Sequence, residues 1–414
     1  MIITSWLDND FYQFTMSYYA WKNHKDLEVK YKFRNRTFEV PLWRNLDTDL
    51  LIQEIAALNS LDFSTDEIDY LSGLGYFEED YLNELITDPP SIDIYIKQDG
   101  DYLVIEYSGL WWQAMFFETP ILAIINEIYF SQLEFEIEGY QRLRDKATYL
   151  LGYPDLKFVE FGTRRRWSKQ WQMDLLAVMA TNYHDMYRKM LGTSNVALAR
   201  QFNLAPKGTM AHQLFMVETA LHANQMEILT LDGIVNSQLS TLLNWETLYG
   251  SHNELLTFLP DTFGTVTFFA PMNDLSHESW DQNVLHHYLQ NYKGIRQDSG
   301  DPIRFGNAML HIWEAYHIDP QEKTLFFSDS LDVRKMSILY ETFNMYTNVV
   351  FGWGTNLTND LGPSPLSIVI KPDAVKVSNE WVPCVKLSDD ITKATGDPLA
   401  VANYTEAARI GTNP

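Results

Sequence analysis

The rhythm of apolar and polar positions changes near residue 120. Before that point two periods are mixed. Residues 9–21 (NDFYQFTMSYYAW) space their aromatic side chains as an amphipathic helix does, and 50–58 and 66–74 also read as helices. Residues 29–36 (VKYKFRNR) alternate with period two and predict a strand. Residues 91–96 and 102–107 predict a strand pair turning at Asp99-Gly100. The apolar stretch 109–130 is interrupted by Gln113, Glu118, Pro120, Asn126 and Glu127. A bilayer span needs ~20 nearly unbroken apolar residues, so this stretch predicts a buried strand followed by a core helix.

Beyond residue 120, helical segments alternate with short apolar runs that each end in a polar or glycine-rich cluster. Residues 157–161 run into Gly162-Thr163-Arg164-Arg165-Arg166, and 255–259 into Pro260, Asp261, Thr262 and Gly264. Residues 294–296 open GIRQDSGDP, 324–327 lead into Ser328-Asp329-Ser330, and 349–351 lead into GWGTNLTND. Strand, polar end, helix, repeated, is the pattern of a parallel α/β barrel or a doubly wound sheet, and in both the ligand lies at the carboxyl ends of the strands. No duplicated unit is present to prove closure. The tail from residue 366 alternates again as strands. The expected division is an N-terminal α/β domain at 1–120, which 366–414 can rejoin, and an α/β barrel catalytic domain at 121–365.

A chain of 414 residues, 46% apolar, has room for two or three domains with a large core. Its net charge of -24 argues against nucleic-acid partners and acidic membrane faces, and makes any basic cluster informative. The single cysteine, Cys384, excludes an internal disulfide and a cysteine-based zinc site. The opening residues lack a basic region and carry Asp8 and Asp10, unlike a secretory signal, so a cytoplasmic location is expected.

The candidate chemistry sits at the strand ends. In LAPKGTMAHQLFM (204–216), Lys207, Gly208 and Thr209 form a loop feeding an apolar helical run that opens at His212. Free N–H groups at such a helix start suit an anion, although a plain turn and cap is the commoner meaning. Arg164, Arg165 and Arg166 cannot all face one way from a strand end, so one or two are expected at a phosphate and the rest in ion pairs. Arg296 and Asp298, two apart, can project together, Arg296 toward an anionic group and Asp298 toward a diol; an internal salt bridge is the alternative. Asp301 shares their loop. Asp329 and Asp332 offer further carboxylates, with a helix cap at Ser328 or Asp329 as the alternative. Gly352, Gly354 and Thr355 make a phosphate cup. Tyr12 lies beside Asp8 and Asp10, where core packing is the commoner role. No Walker A or HExxH sequence occurs. KLSDDITKATGD (386–397) reads as a surface turn.

Taken together, DNDFYQFTM (8–16), EFGTRRR (160–166), KGTMAHQLF (207–215), GIRQDSGDP (294–302), FSDSLD (327–332) and FGWGTNLTND (351–360) resemble the nicotinate phosphoribosyltransferase family, in family order across nearly the whole chain. The resemblance implies an irregular α/β barrel of the type II phosphoribosyltransferase kind with an N-terminal α/β domain. It implies a homodimer with shared active sites, serving NAD salvage in the cytoplasm. The implied reaction makes nicotinate mononucleotide and diphosphate from nicotinate and phosphoribosyl diphosphate, with Mg²⁺ and with ATP as co-substrate. Residue by residue, Tyr12 (from the neighbouring subunit) and Phe161 would sandwich the pyridine ring. Arg296 would hold the nicotinate end and Arg164 a substrate or phosphate group. Thr209 would bind substrate, Asp298 and Asp329 would place the ribose, and Gly352, Gly354 and Thr355 would take the 5′-phosphate. His212 would be the histidine phosphorylated by ATP. Trp353 stands where smaller residues are common in that family. Preference for nicotinamide, or nucleotide binding without catalysis, are the competing functions. Asp298, Asp301 and Asp329 are candidate metal ligands, with the diphosphate supplying most of the ligation.

Overall fold

The computed structural model describes residues 1–133, 138–226, 228–273 and 282–409. Its strands are β1 (Glu28–Asn35), β2 (Asp93–Asp99), β3 (Tyr102–Leu110), β4 (Lys157–Glu160), β5 (Met190–Thr193), β6 (Thr257–Phe258), β7 (Gly294–Gln297), β8 (Thr324–Phe327), β9 (Asn348–Trp353), β10 (Ile368–Val377) and β11 (Glu380–Pro383). They form two sheets. One is antiparallel, in the order β11-β10-β1-β3-β2. The other is parallel, in the order β5-β4-β9-β8-β7-β6. The long pairing of β10 with β1, from Val29 opposite Val375 to Asn35 opposite Ile368, carries the tail back onto the N-terminal sheet. The parallel strands are short and mostly buried, as expected of strands covered on both faces. Among the described residues no strand joins β6 to β5, so the barrel is irregular and open on that side.

The helix Phe11–Asn23 is where the expected amphipathic pattern fails. Every residue from Phe11 to Ala20 is buried, polar ones included. It lies between the Trp111–Ala114 helix and the long helix Leu231–Tyr249, and its polar atoms are used: the Ser17 hydroxyl donates to the Trp112 carbonyl (2.6 Å), and the Thr15 carbonyl accepts from the Tyr249 hydroxyl (2.8 Å). The stretch 109–130 also differs from expectation. Strand structure stops at Leu110, and nearly all of the stretch is helical, ending in the helix Glu118–Ser131. Pro120 falls in that helix's first turn, where a missing N–H costs nothing. Most of its polar interruptions are buried with partners: Gln113 donates to the Asp88 carbonyl and Asn126 to those of Leu122 and Arg164, while Glu127 is half-buried. No helix among the described residues is long and apolar enough to cross a membrane.

The N-terminal segment runs along the open side beyond β5. Phe11 N–H donates to Ser194, and Val196 and Ala197 donate to Asn9 and Leu7. Asp8 is locked there. Its two carboxylate oxygens accept from Arg166 at 2.6 and 2.9 Å, Oδ1 also accepts from Asn195 (2.7 Å), and Lys169 lies 3.3 Å away. Both partners are essentially inaccessible to water. Burial alone would raise the Asp8 carboxyl, but Arg166 more than offsets it and holds the group far below the usual range. Asp8→Ala leaves a buried guanidinium without its partner and should lower the unfolding free energy by about 3–5 kcal/mol. Urea unfolding of the full chain measures this, and a loss below about 1 kcal/mol would show that the pair contributes little.

Candidate active site

Polar loops at the ends of β4, β7, β8 and β9, with Arg36 just after β1 and residues of β10, line a cavity of about 600 Å³. The strand-end clusters therefore meet, as a parallel sheet requires. Tyr12, Phe161, Arg164, His212, Arg296, Asp298, Asp329, Gly352, Gly354 and Thr355 all line it. Thr209 does not. Its buried hydroxyl accepts from Arg296 Nη1 (3.1 Å) and donates to the Met210 carbonyl (3.2 Å), so it supports the arginine rather than facing the space. Asp301 does not line it either; it accepts from Ile303 and Arg304 N–H and caps the helix Pro302–Ala315. The cap on the helix Val333–Phe343 is Asp332, not Ser328 or Asp329.

The three consecutive arginines divide. Arg166 turns inward to Asp8, while Arg164 and Arg165 reach the cavity. Arg164 lies over the Tyr12 ring at 5.7 Å, with Nε 3.4 Å from Asp10. Arg296 lies over the Phe161 ring at 5.8 Å. The chain's own Tyr12 thus lines this cavity. The short loop of Lys207 and Gly208 packs against the Tyr12 backbone closely enough to exclude a Cβ at Gly208 (2.8 Å to Tyr12 N).

Arg296 spends three N–H groups within the chain: Nε on Ser328 (2.8 Å), Nη1 on Thr209 and Nη2 on Asp298 (2.7 Å). A guanidinium has five, so one N–H remains on each terminal nitrogen. Asp298 also accepts from Ser328 (2.8 Å) and lies 3.0 Å from His212 Nε2. Burial would raise its carboxyl, but Arg296, then His212 and Lys386, hold it well below the carboxylate range.

His212 is the first residue of the helix His212–Ala223, as the sequence suggested. Nδ1 lies 3.1 Å from the Thr262 hydroxyl and Nε2 2.9 Å from Lys386 Nζ. Burial, reinforced by the Lys386 charge, pushes the imidazole down to about 4, so it is neutral at neutral pH. Burial pushes Lys386 down to about 8 against the pull of Asp261 and Asp298. The segment 386–397 is not the surface turn expected of it. Lys386 and Ser388 are buried, Leu387 N–H donates to the Thr262 carbonyl (2.8 Å), and Asp389 accepts from Thr265 N–H and hydroxyl (both 2.6 Å). Its polarity is spent on partners from the β6 and β7 ends, which sequence alone does not reveal.

In the phosphate cup, the glycines are required by packing. A Cβ at Gly352 would meet the Phe161 ring at 2.8 Å, and one at Gly354 the Phe161 carbonyl at 2.9 Å. Trp353 points away from the cavity, fully buried, edge-on to Phe158 (5.3 Å) with its indole N–H on Asn356 Oδ1 (3.1 Å). Its bulk is absorbed behind the cup.

Residues 156–411 match the model of the nicotinate phosphoribosyltransferase family, and 7–126 match that of its N-terminal domain. The chain belongs to this family. It is 35% identical over 420 residues to the nicotinate phosphoribosyltransferase of Xanthomonas campestris (98% of this chain, 95% of that protein) and 36% identical over 413 residues to that of Ralstonia nicotianae (98% of each). Among solved structures, the nicotinate phosphoribosyltransferase of Vibrio cholerae superposes with a TM-score of 0.83 at 30% identity, covering 99% of this chain and 94% of that one. That of Porphyromonas gingivalis gives 0.81 at 29%, covering 98% and 100%.

Four cations of the cavity escaped the sequence reading: Arg36, Lys371, Lys386 and Lys393. Arg36 follows β1, Lys371 is on β10, and the other two lie in the tail. None follows a strand of the parallel sheet, where this family's polar loops were sought; the basic pattern of VKYKFRNR in so acidic a chain was the available clue for Arg36. Because Lys386 lowers His212, Lys386→Met should move the His212 titration up from about 4, read from the imidazole proton resonances. An unchanged midpoint would show that the amine does not act on the ring.

Proposed function

We propose that this chain forms nicotinate mononucleotide and diphosphate from nicotinate and phosphoribosyl diphosphate, and that ATP drives the reaction through phosphorylation of His212. The observation that carries the reading is one cavity holding two aromatic rings, each under a guanidinium, beside a neutral histidine at a helix start and a glycine cup. Tyr12 and Phe161 take the pyridine ring between them, and the two unused terminal N–H groups of Arg296 take its carboxylate. Gly352, Gly354 and Thr355 take the 5′-phosphate at the far end, with Asp298 and Asp329 toward the ribose. Held so, the pyridine nitrogen is aimed at the anomeric carbon and needs no general base. Its lone pair forms the new C–N bond while the C–O bond to diphosphate breaks. The growing negative charge falls among lysines and arginines fixed in advance.

His212 accepts a phosphoryl group through a nitrogen lone pair. With Nδ1–H donated to Thr262, Nε2 is the nucleophile; the N–P bond forms as the bond from the γ-phosphorus of ATP to ADP breaks. Lys386 then faces the phosphoryl oxygens. Mg²⁺ enters with the phosphates of the substrates. Among the described residues no three His, Cys, Asp or Glu side chains converge as a metal site, Asp298 is spent on Arg296 and Ser328, and Asp301 on its helix. Of the other lining carboxylates, Asp329 pairs with Lys393, Asp332 caps its helix and Asp360 pairs with Arg142 and Lys146, so a hydrated ion would be held chiefly by the diphosphate that carries it. The cytoplasm and a homodimer are the setting we propose for this activity.

Incubation with nicotinate, phosphoribosyl diphosphate, Mg²⁺ and ATP should yield nicotinate mononucleotide, with much slower turnover of nicotinamide; no product would overturn the assignment. His212→Ala should abolish stimulation by ATP and leave a slow ATP-independent transfer, and undiminished stimulation would remove the phosphohistidine. Arg296→Ala should raise the KM for nicotinate by about 10-fold or more, as loss of a charge-assisted contact requires. An unchanged KM would take the carboxylate away from this residue.

A further inference from the structure

Behind the cavity wall, four buried side chains are joined in one hydrogen-bonded chain. The Tyr31 hydroxyl donates to Gln213 Oε1 (2.7 Å), Gln213 Nε2 to Gln13 Oε1 (2.9 Å), and Gln13 Nε2 to Glu118 Oε2 (2.8 Å). All four residues are at most 1% exposed, and none of them lines the cavity. The carboxylate at the end fixes the direction. Burial would raise the Glu118 carboxyl, but Lys371 and Arg164 more than offset it, so Glu118 is ionised and only accepts. Gln13 must therefore turn its NH2 toward Glu118 and its carbonyl toward Gln213, which leaves the Gln213 carbonyl for Tyr31. Flipping either amide would set like against like in a dry interior, so the chain has one arrangement.

Both ends of the chain hold parts of the site. Gln213 follows His212 in the first turn of the helix His212–Ala223. At the other end Glu118 holds Lys371 (2.9 Å), and Gln13 Nε2 also donates to the Tyr12 hydroxyl (3.3 Å). We propose that Gln13 and Gln213 are positioning residues that tie the Tyr12 wall of the ring site to the state of His212. The inference rests on the function proposed above. A phosphoryl group on His212 Nε2 has to displace Asp298 Oδ2 at 3.0 Å and Lys386 Nζ at 2.9 Å, or move the helix start that carries the imidazole. Movement of the helix start carries Gln213 with it. With one arrangement open to the chain, Gln213 draws Gln13, and Gln13 draws Tyr12 and Glu118. The helix start has a second hold on the helix Phe11–Asn23, through Ala211 N–H on Met16 Sδ (3.3 Å). ATP thereby acts on the affinity for nicotinate, and by linkage a bound ring acts equally on the phosphorylation equilibrium.

Steady-state kinetics of the full chain with and without ATP tests this on Gln13→Met, Gln213→Met and the double variant. Met has a similar length and cannot continue the hydrogen bonds. In the unsubstituted chain ATP should change the KM for nicotinate by about fivefold or more, the lower end of ordinary coupling between sites. Each single variant should bring that ratio to within about twofold of one, with the KM for phosphoribosyl diphosphate also within about twofold. The double variant should lose no more than either single, because one chain is then broken twice. Thermal melts establish that each variant is folded, and the double variant, which leaves no orphaned amide, keeps the test open should a single one fail to fold. A ratio of one in the unsubstituted chain, a ratio kept in folded variants, or losses that multiply in the double variant would overturn the relay. An equal rise of both KM values in every variant would overturn it too, as general loosening. Each of these leaves the reaction standing, whereas an unsubstituted chain without turnover overturns the reaction and the relay together.

Discussion

The buried pair of Asp8 and Arg166 is the constraint from which the site's arrangement follows. A guanidinium taken out of water must find a carboxylate with good geometry, and here it finds one in bidentate contact, with Asn195 completing the set. That contact pins the N-terminal segment against the ends of β4 and β5. It also decides the directions of Arg164 and Arg165. The three arginines leave a single 3-10 turn, Thr163–Arg165, and with Arg166 committed inward its two predecessors emerge on the cavity side. Tyr12, four residues beyond Asp8 and on the buried helix Phe11–Asn23, is brought under Arg164 by the same anchoring. A pair that touches no substrate thus positions a ring and two cations that face the cavity.

Electrostatics explains how a chain of net charge -24 supports so cationic a space. Carboxylates are threaded among the bases at short range: Glu118 serves Lys371 and Gln13, and Asp298 serves Arg296 and Ser328. Most of the cost of burying those cations is met inside the chain, which leaves the surface free to be acidic. Among the described residues the neutralisation stops short at Arg36, Arg165 and Lys386, whose side chains donate only to neutral partners. It also stops short of protonating His212, which burial and Lys386 keep neutral despite Asp298 at 3.0 Å. The cavity is therefore preorganised, with charge fixed before any ligand arrives.

What was legible in the sequence follows from topology. Parallel strands place their polar loops at one end, so the clusters after β4, β7, β8 and β9 announced a common site although they are far apart in the chain. The helical start at His212 was visible because an apolar run begins just beyond it. β5 was not, since MLGT is four residues long and includes Gly192. The burial of Phe11–Ala20 on all sides was hidden because Gln13, Thr15 and Ser17 look solvent-facing until their partners are known: Glu118 and Gln213 for Gln13, the Trp112 carbonyl for Ser17, and the Tyr12 carbonyl of the same helix for Thr15. The same reason conceals 386–397. Asp, Ser and Thr in a short segment predict a hydrated turn only when the acceptors and donors they use are water; here they are Thr262, Thr265 and Ser299.

The glycine cup shows a finer limit. Gly352 and Gly354 were recognised for the close approach of backbone to phosphate, yet the atoms that exclude a Cβ at both positions belong to Phe161. Phe161 is also the ring under Arg296. Enlarging either glycine would push the Phe161 ring and the Gly352–Gly354 loop apart, so the spacing of these two walls of the cavity is set by one packing contact. Trp353 fits beside it only because the indole turns behind the sheet, where Phe158 and Asn356 receive it. Neighbouring residues of one motif therefore serve opposite faces of the β9 end, one face lining the cavity and the other filling core, which is what strand alternation demands.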